Sequence, residues 1–207
     1  MSESVSPELA PSERPSIVLI GPSGAGKSTM APLLADRLGL RSVDLDDLRA
    51  GYYPEFGYDE ALAEQFFTAG DLRGLTAYWK PFELRSVQRA MAEFGTGHVI
   101  AFGAGQSVYD DPADRAAARL ALAGAGAVVL VQPTADEAGS AAVLGVRIRQ
   151  AADGVPAWVV DRFDELNQDY VNHPSSRELA TCVVLTGTRD PDRAADLVVE
   201  RLGALRG

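Results

Sequence analysis

The run Gly21-Pro-Ser23-Gly24-Ala25-Gly26-Lys27-Ser28-Thr29 places two glycines five apart, with Lys and Ser directly after the second. That spacing builds a loop whose backbone N–H groups turn inward around phosphate oxygens. Lys27 can reach the β- and γ-phosphates of a nucleoside triphosphate, and the Ser28 hydroxyl can ligate Mg²⁺. A second group is Asp44-Leu-Asp46-Asp47. Phosphoryl transfer to an alcohol needs Mg²⁺ held in position and a carboxylate that orients the hydroxyl and accepts its proton. Asp44 and Asp46, two apart at a strand end, can supply both. The competing reading is a solvated strand end or the N-cap of a helix over residues 46–50, which Asp47 fits better than the other two. Gly103-Ala104-Gly105 lets a ligand approach the backbone closely, or closes a plain tight turn. Between Pro133 and Trp158, a polar stretch holds Gly139, Gly145, Arg147, Arg149, Gly154 and Pro156. It reads as a flexible flap that closes over nucleotide, excludes water and brings guanidinium charge to the transferring phosphoryl group. Arg147 and Arg149 share a face on a strand and diverge on a helix, so at most one of them serves the reaction.

Elements that could position these groups are visible in the apolar pattern. Ser16–Ile20 is a β-branched run directly before the loop, and a helical pattern over Lys27–Leu38 follows it, with Pro32 early enough to be tolerated. Further strands are expected at Ser42–Leu45, His98–Phe102, Ala127–Val131 and Thr181–Leu185. Asp111-Pro112 and Asp190-Pro191 each put an acidic N-cap before Pro at the first helical position, opening helices to about Ala123 and Leu205. Strands separated by helices of this length imply crossover connections and a parallel sheet covered on both faces, an α/β fold of three layers, α/β/α. Such sheets bind ligands at the carboxyl ends of their strands, where the loop, the Asp pair and the Gly pair all fall.

The chain of 207 residues suits one domain: a disordered lead-in over residues 1–15, then 16–207, with a helical acceptor-binding insertion at 51–95 and the flap at 133–158. Nine of its fifteen aromatic residues lie between Gly51 and Phe82, either as a small core of their own or walling an acceptor pocket. The net charge is −10, from 29 acidic and 19 basic residues, which disfavours nucleic-acid binding. No run approaches the ~18 apolar residues of a membrane helix, and nothing at the N-terminus reads as a secretory signal, so a cytoplasmic protein is expected. Cys182 is the only cysteine and is expected buried and inert. His98 and His173 lack metal-ligand companions and read as structural.

The order of these motifs resembles shikimate kinase, over most of residues 16 to 205. Asp44-Leu-Asp46 is similar to the family's Asp-x-Asp, which implies Asp44 toward Mg²⁺ and Asp46 toward the acceptor hydroxyl. Trp79-Lys80-Pro-Phe-Glu83 stands where the family reads Phe-Arg-x-x-Glu, Gly103-Ala104-Gly105 where it has three glycines, and Asn172-His-Pro174 where it has Arg-x-Pro. The resemblance implies acceptor contact for Trp79, Lys80, Glu83, the 103–105 turn and Asn172. The two family arginines grip the substrate carboxylate; here they are Lys80 and Asn172, and a Lys does not replace an Arg at a bidentate site. The flap also lacks the family's Arg-Pro-Leu-Leu.

The expected activity is therefore ATP-dependent, Mg²⁺-assisted phosphorylation of an alcohol on a sugar, nucleoside or specialised metabolite, bulkier or more apolar than shikimate, uncharged acceptors included. The alternatives are a true shikimate kinase and a P-loop ATPase or nucleotide switch acting on a protein partner.

Overall fold

The computed structural model describes residues 9–171 and 173–205. Five strands, β1 (Ile17–Ile20), β2 (Arg41–Asp44), β3 (His98–Ala101), β4 (Ala127–Gln132) and β5 (Cys182–Leu185), form one sheet in the order β2-β3-β1-β4-β5. Every pairing is parallel, with Val18 opposite both Ile100 and Val128. The central strands β1, β3 and β4 are buried along their whole length, which is why they read as unbroken apolar runs rather than alternating ones.

Alternation along each strand divides the core in two. Ile17, Leu19, Val99 and Val129 face α1 (Lys27–Leu38) and α9 (Pro191–Ala204), packing on Met30, Leu34, Ala195 and Val198. Val18, Ile20, Ile100 and Leu130 face α4 (Leu72–Phe94) and α5 (Pro112–Leu122), packing on Val87, Met91, Ala118 and Leu122. Asp111 and Asp190 cap their helices as expected, accepting from Ala113 N at 2.6 Å and Arg193 N at 2.9 Å. Pro32 lies inside α1, which continues past it to Leu38. Cys182 is buried, and that burial pushes its thiol up.

Residues 51–95 are mostly helical: most of α2 (Arg49–Glu55), α3 (Glu60–Ala69) and all of α4. Their rings largely pack on one another, with Tyr53, Tyr58, Tyr78 and Phe82 at centroid separations of 5.1–5.7 Å. Among the described residues, no helix is long and apolar enough to cross a membrane.

Three local expectations change. No helix spans 46–50; a turn follows β2, and α2 starts at Arg49. Residues 133–158, expected as a flexible flap, are mostly helical: α6 (Glu137–Ala151) fills most of the segment and α7 (Ala157–Tyr170) follows. Asp136 caps α6 by accepting from Gly139 N at 2.6 Å. Gly145 is buried where α6 meets Asp164 of α7; a Cβ there would lie 3.3 Å from the Asp164 carboxylate. Packing against α7 offsets the ~1 kcal/mol that an interior glycine costs a helix. Of the expected disordered lead-in, residues 1–8 lie outside the described residues. Pro11–Glu13 form a 3-10 turn, and Gly97 N donates to Arg14 O at 2.8 Å, tying residue 14 to the domain.

Candidate active site

The loop between β1 and α1 opens at the carboxyl edge of the sheet, on its central strand. Gly26, at φ 93°, turns the chain into α1, so that helix begins at Lys27 with its first N–H groups facing the loop. Gly24 and Ala25 complete the turn, while Ser28 and Thr29 stand exposed in the first helical turn. The Lys27 ammonium is buried and donates to Gly21 O and Pro22 O, both at 2.8 Å. Burial brings it down to about 8, against the opposing pull of Asp46 and Asp44. That coupling shows that the Asp pair and the loop lysine share one locality, although they arise from different strands.

Asp44 is the last residue of β2, and its Oδ1 accepts from Asp46 N at 3.0 Å. Leu45 between them is fully buried, so the two carboxylates sit on the same side of the turn. Asp46 opens onto a cavity of about 440 Å³. Protein mass behind the carboxylate still strips part of its water. This desolvation, and then Asp44, hold the carboxyl above the usual carboxylate range, while Lys27 and Arg49 pull it down.

The cavity also takes in Ser23 of the phosphate loop, Trp79, Glu83 and the whole 103–105 turn. A Cβ at Gly103 would overlap the Asp46 carboxylate, and one at Gly105 would overlap that of Glu83. A side chain at either glycine would therefore have to displace that carboxylate, whereas the methyl of Ala104 is accommodated. The 104–107 segment is a 3-10 turn, and Gly103 N donates to Gln106 Oε1 at 2.7 Å, which fixes its orientation.

Lys80 does not line this cavity. Its Nζ lies 2.5 Å from Glu83 Oε2 and donates to Gly105 O at 2.9 Å. Asn172 lies outside the described residues. The cation that does line the cavity is Arg49, which the sequence reading passed over. Its guanidinium carbon sits 4.7 Å from the Tyr53 ring centroid and 4.5 Å from that of Trp79. The helical spacing of Arg49 and Tyr53 was an available signal; the approach of Trp79 was not.

The opposite wall is apolar and comes from the α6–α7 hairpin: Ile148, Val155, Val159, Val160, Phe163 and Leu166. As expected for a helix, the two flap arginines diverge. Arg147 points at the phosphate loop, donating to Gly24 O at 3.1 Å and to Gly187 O at 2.9 Å. Arg149 turns to α7 and pairs with Asp164 at 2.7 Å. Asn167 was also missed. Its buried amide grips the phosphate loop twice, accepting from Ser23 N at 2.7 Å and donating to Ser23 O at 3.1 Å. His98 bonds the backbone of Thr96 through Nδ1 at 2.6 Å, and His173 caps α8 (Pro174–Leu179), so both are structural.

No model of a known protein family matches the chain. A shikimate kinase from Streptomyces coelicolor is 30% identical over 190 residues, spanning 90% of this chain and 94% of that protein. A solved shikimate kinase from Acinetobacter baumannii in complex with shikimate has a TM-score of 0.65 at 20% identity, covering 94% of this chain and 96% of that one. A gluconokinase from Sinorhizobium meliloti has a TM-score of 0.58 at 18% identity, covering 93% of each chain. Likeness at those identities establishes a shared fold, and the near full-length sequence match adds descent. The chain therefore belongs to the shikimate kinase family and is an ATP-dependent P-loop kinase of small molecules.

Proposed function

We propose that the chain transfers the γ-phosphoryl group of ATP to the hydroxyl of a small alcohol other than shikimate. The observation that carries this reading is a single cavity bounded by Ser23 of the phosphate loop, by Asp46 and by the apolar face of α6–α7. Donor and acceptor handling meet there. A concave enclosure of this size suits a small molecule rather than a protein surface.

The N–H groups of Gly24 to Thr29 cradle the phosphates, and Lys27 supplies positive charge as the phosphoryl group moves. Ser28 and Asp44 provide hard oxygen donors, a set that fits Mg²⁺ completed by phosphate oxygens and water rather than an all-protein cage. Among the described residues there is no cluster of three His, Cys, Asp or Glu, in keeping with so sparse a site. Bound there, Mg²⁺ would neutralise charge on the phosphates. Asp46 orients the acceptor hydroxyl and takes its proton, a task its raised carboxyl suits. Arg147 stands beside the loop and is the flap arginine placed to face the phosphoryl group, while Arg149 holds α6 to α7.

Two features argue against shikimate. Lys80 is tied off by Glu83 and Gly105, so the position where the family grips its carboxylate offers no free charge. The α6–α7 wall presents hydrocarbon to the acceptor. The test is turnover of a panel of sugars, nucleosides, aromatic alcohols and shikimate, with the Asp46→Asn variant beside the parent. Nucleotide affinity should survive in the variant while transfer falls by about 10²-fold or more. Unchanged transfer would remove Asp46 from its role, and shikimate turnover matching the best other alcohol would overturn the acceptor assignment.

A further inference from the structure

Arg49 is held in an unusual way for a cavity cation. Tyr53 and Trp79 lie against its guanidinium at 4.7 and 4.5 Å, with Tyr58 farther off at 5.9 Å. Rings interact with the faces of a guanidinium through their π-clouds and leave its hydrogen-bonding edge uncovered. Among the described residues, no carboxylate or carbonyl accepts from that edge. The other cations nearby are engaged: Lys80 with Glu83, Arg149 with Asp164, and Arg147 and Lys27 with backbone carbonyls. Arg49 is the one Lys or Arg among the cavity-lining residues, and it shares the cavity with Asp46.

A planar cation held against two rings has lost side-chain freedom before any ligand arrives, so a ligand does not bear that ordering cost. Its free edge matches the two-oxygen geometry of a carboxylate or phosphate, which an alcohol or ether does not reproduce. We infer that the acceptor carries an anionic oxygen group, carboxylate or phosphate, that docks on the edge of Arg49 while its hydroxyl lies at Asp46. This rests on the acceptor reading above. It moves the anion contact away from Lys80 of α4 to Arg49, the first residue of α2.

The experiment uses Trp79 as reporter. The chain has two tryptophans, and Trp158 is half-exposed outside the cavity, so Trp158→Phe leaves Trp79 as the only one. The fluorescence of that protein is titrated, without nucleotide, with shikimate and gluconate as carboxylates and with glycerol 3-phosphate and glucose 6-phosphate as phosphates. Methyl shikimate, glucose and glycerol are the neutral counterparts. The expected result is saturable quenching by at least one anion class, weakened at least tenfold by Arg49→Gln. That is the loss of about one charge-assisted hydrogen bond. Binding of neutral probes should not move. Arg49→Lys, which keeps the charge without the planar edge, should fall between. The inference is overturned if neutral and charged probes quench alike, if Arg49→Gln weakens both equally or neither, or if no anion of either class binds at millimolar concentration. Because no phosphoryl transfer is measured, anion binding that depends on Arg49 would stand even if Asp46→Asn disproved the kinase role of Asp46.

Discussion

The depressed ammonium of Lys27 makes nucleotide binding depend on pH in a way that can be calculated. Burial lowers this group from its ordinary 10.5 to about 8, while Asp46 and Asp44 resist the shift. Phosphates favour the charged lysine, so bound nucleotide returns the group to a higher value. Linkage then requires that affinity for a non-hydrolysable ATP analogue stay flat below pH 8. Above pH 8 it should weaken about tenfold per pH unit until the value of the bound state is reached. Nucleotide phosphates are already fully ionised in that range and contribute no slope. The folded protein without nucleotide obeys the opposite sign. Between about 8 and 10.5 it binds fewer protons at this site than the unfolded chain does. Stability from this group therefore rises with pH, by about 2 kcal/mol between pH 7 and 9.5 at 1.36 kcal/mol per unit. Calorimetric titration from pH 7 to 10, with denaturant melts over the same range, measures both. Lys27→Arg, whose guanidinium stays charged throughout, should flatten the affinity profile. Lys27→Met should remove the stability slope relative to the parent. Affinity that does not change above pH 8, or the same slope in Lys27→Arg, would refute the assignment.

Further outcomes follow from the same geometry. Gly103→Ala puts a methyl group into the Asp46 carboxylate, and relief of that overlap at ~1–3 kcal/mol should lower kcat/KM for the acceptor by 10- to 100-fold, with nucleotide affinity retained. Asn167→Ala removes both bonds to Ser23, leaves that part-buried loop N–H without its protein partner and empties the space of a buried amide. The expected loss is about 1–3 kcal/mol in a denaturant melt, together with faster hydrogen exchange across α7. Arg147→Met should lower kcat much more than it changes KM for ATP. Arg149→Met, which leaves the buried Asp164 carboxylate without its partner, should cost about 1–3 kcal/mol of stability and leave turnover nearly intact. Equal kinetic effects of the two substitutions would reverse their roles.

Much of the fold was legible because its signals are local. Four-residue apolar runs that are buried on both faces read as parallel strands, and the Asp-Pro pairs at 111 and 190 announce helix starts through their own capping bonds. The phosphate loop was legible for the same reason, since glycine spacing dictates its backbone. What escaped depends on contacts between segments remote in the chain. Gly139 and Gly145 interrupt any helical pattern in α6, and the packing of Asp164 against it cannot be seen from within residues 133–158. Lys80 was assigned to the acceptor by its position in a motif, but its direction is set by Gly105, far along the chain. Arg49 was overlooked because its two rings come from different helices, and Asn167 because its partner is a backbone amide.

The strand order β2-β3-β1 has a further consequence for how this scaffold can change. The phosphate loop leaves β1 and the Asp pair leaves β2, with only β3 between them. Two ladder spacings of ~4.8 Å put these strands about 10 Å apart. Backbone pairing fixes that interval, and no side chain that recognises the acceptor takes part in setting it. The walls of the cavity, by contrast, belong to α2, α4, α6 and α7, which are attached to the sheet by packing. On the proposed reading, replacing the cavity-lining Arg49, Trp79 or Phe163 would alter which molecule is held without stretching the gap that the phosphoryl group must cross. Donor chemistry is thus inherited with the sheet, while acceptor identity remains open to drift, residue by residue, at the helices.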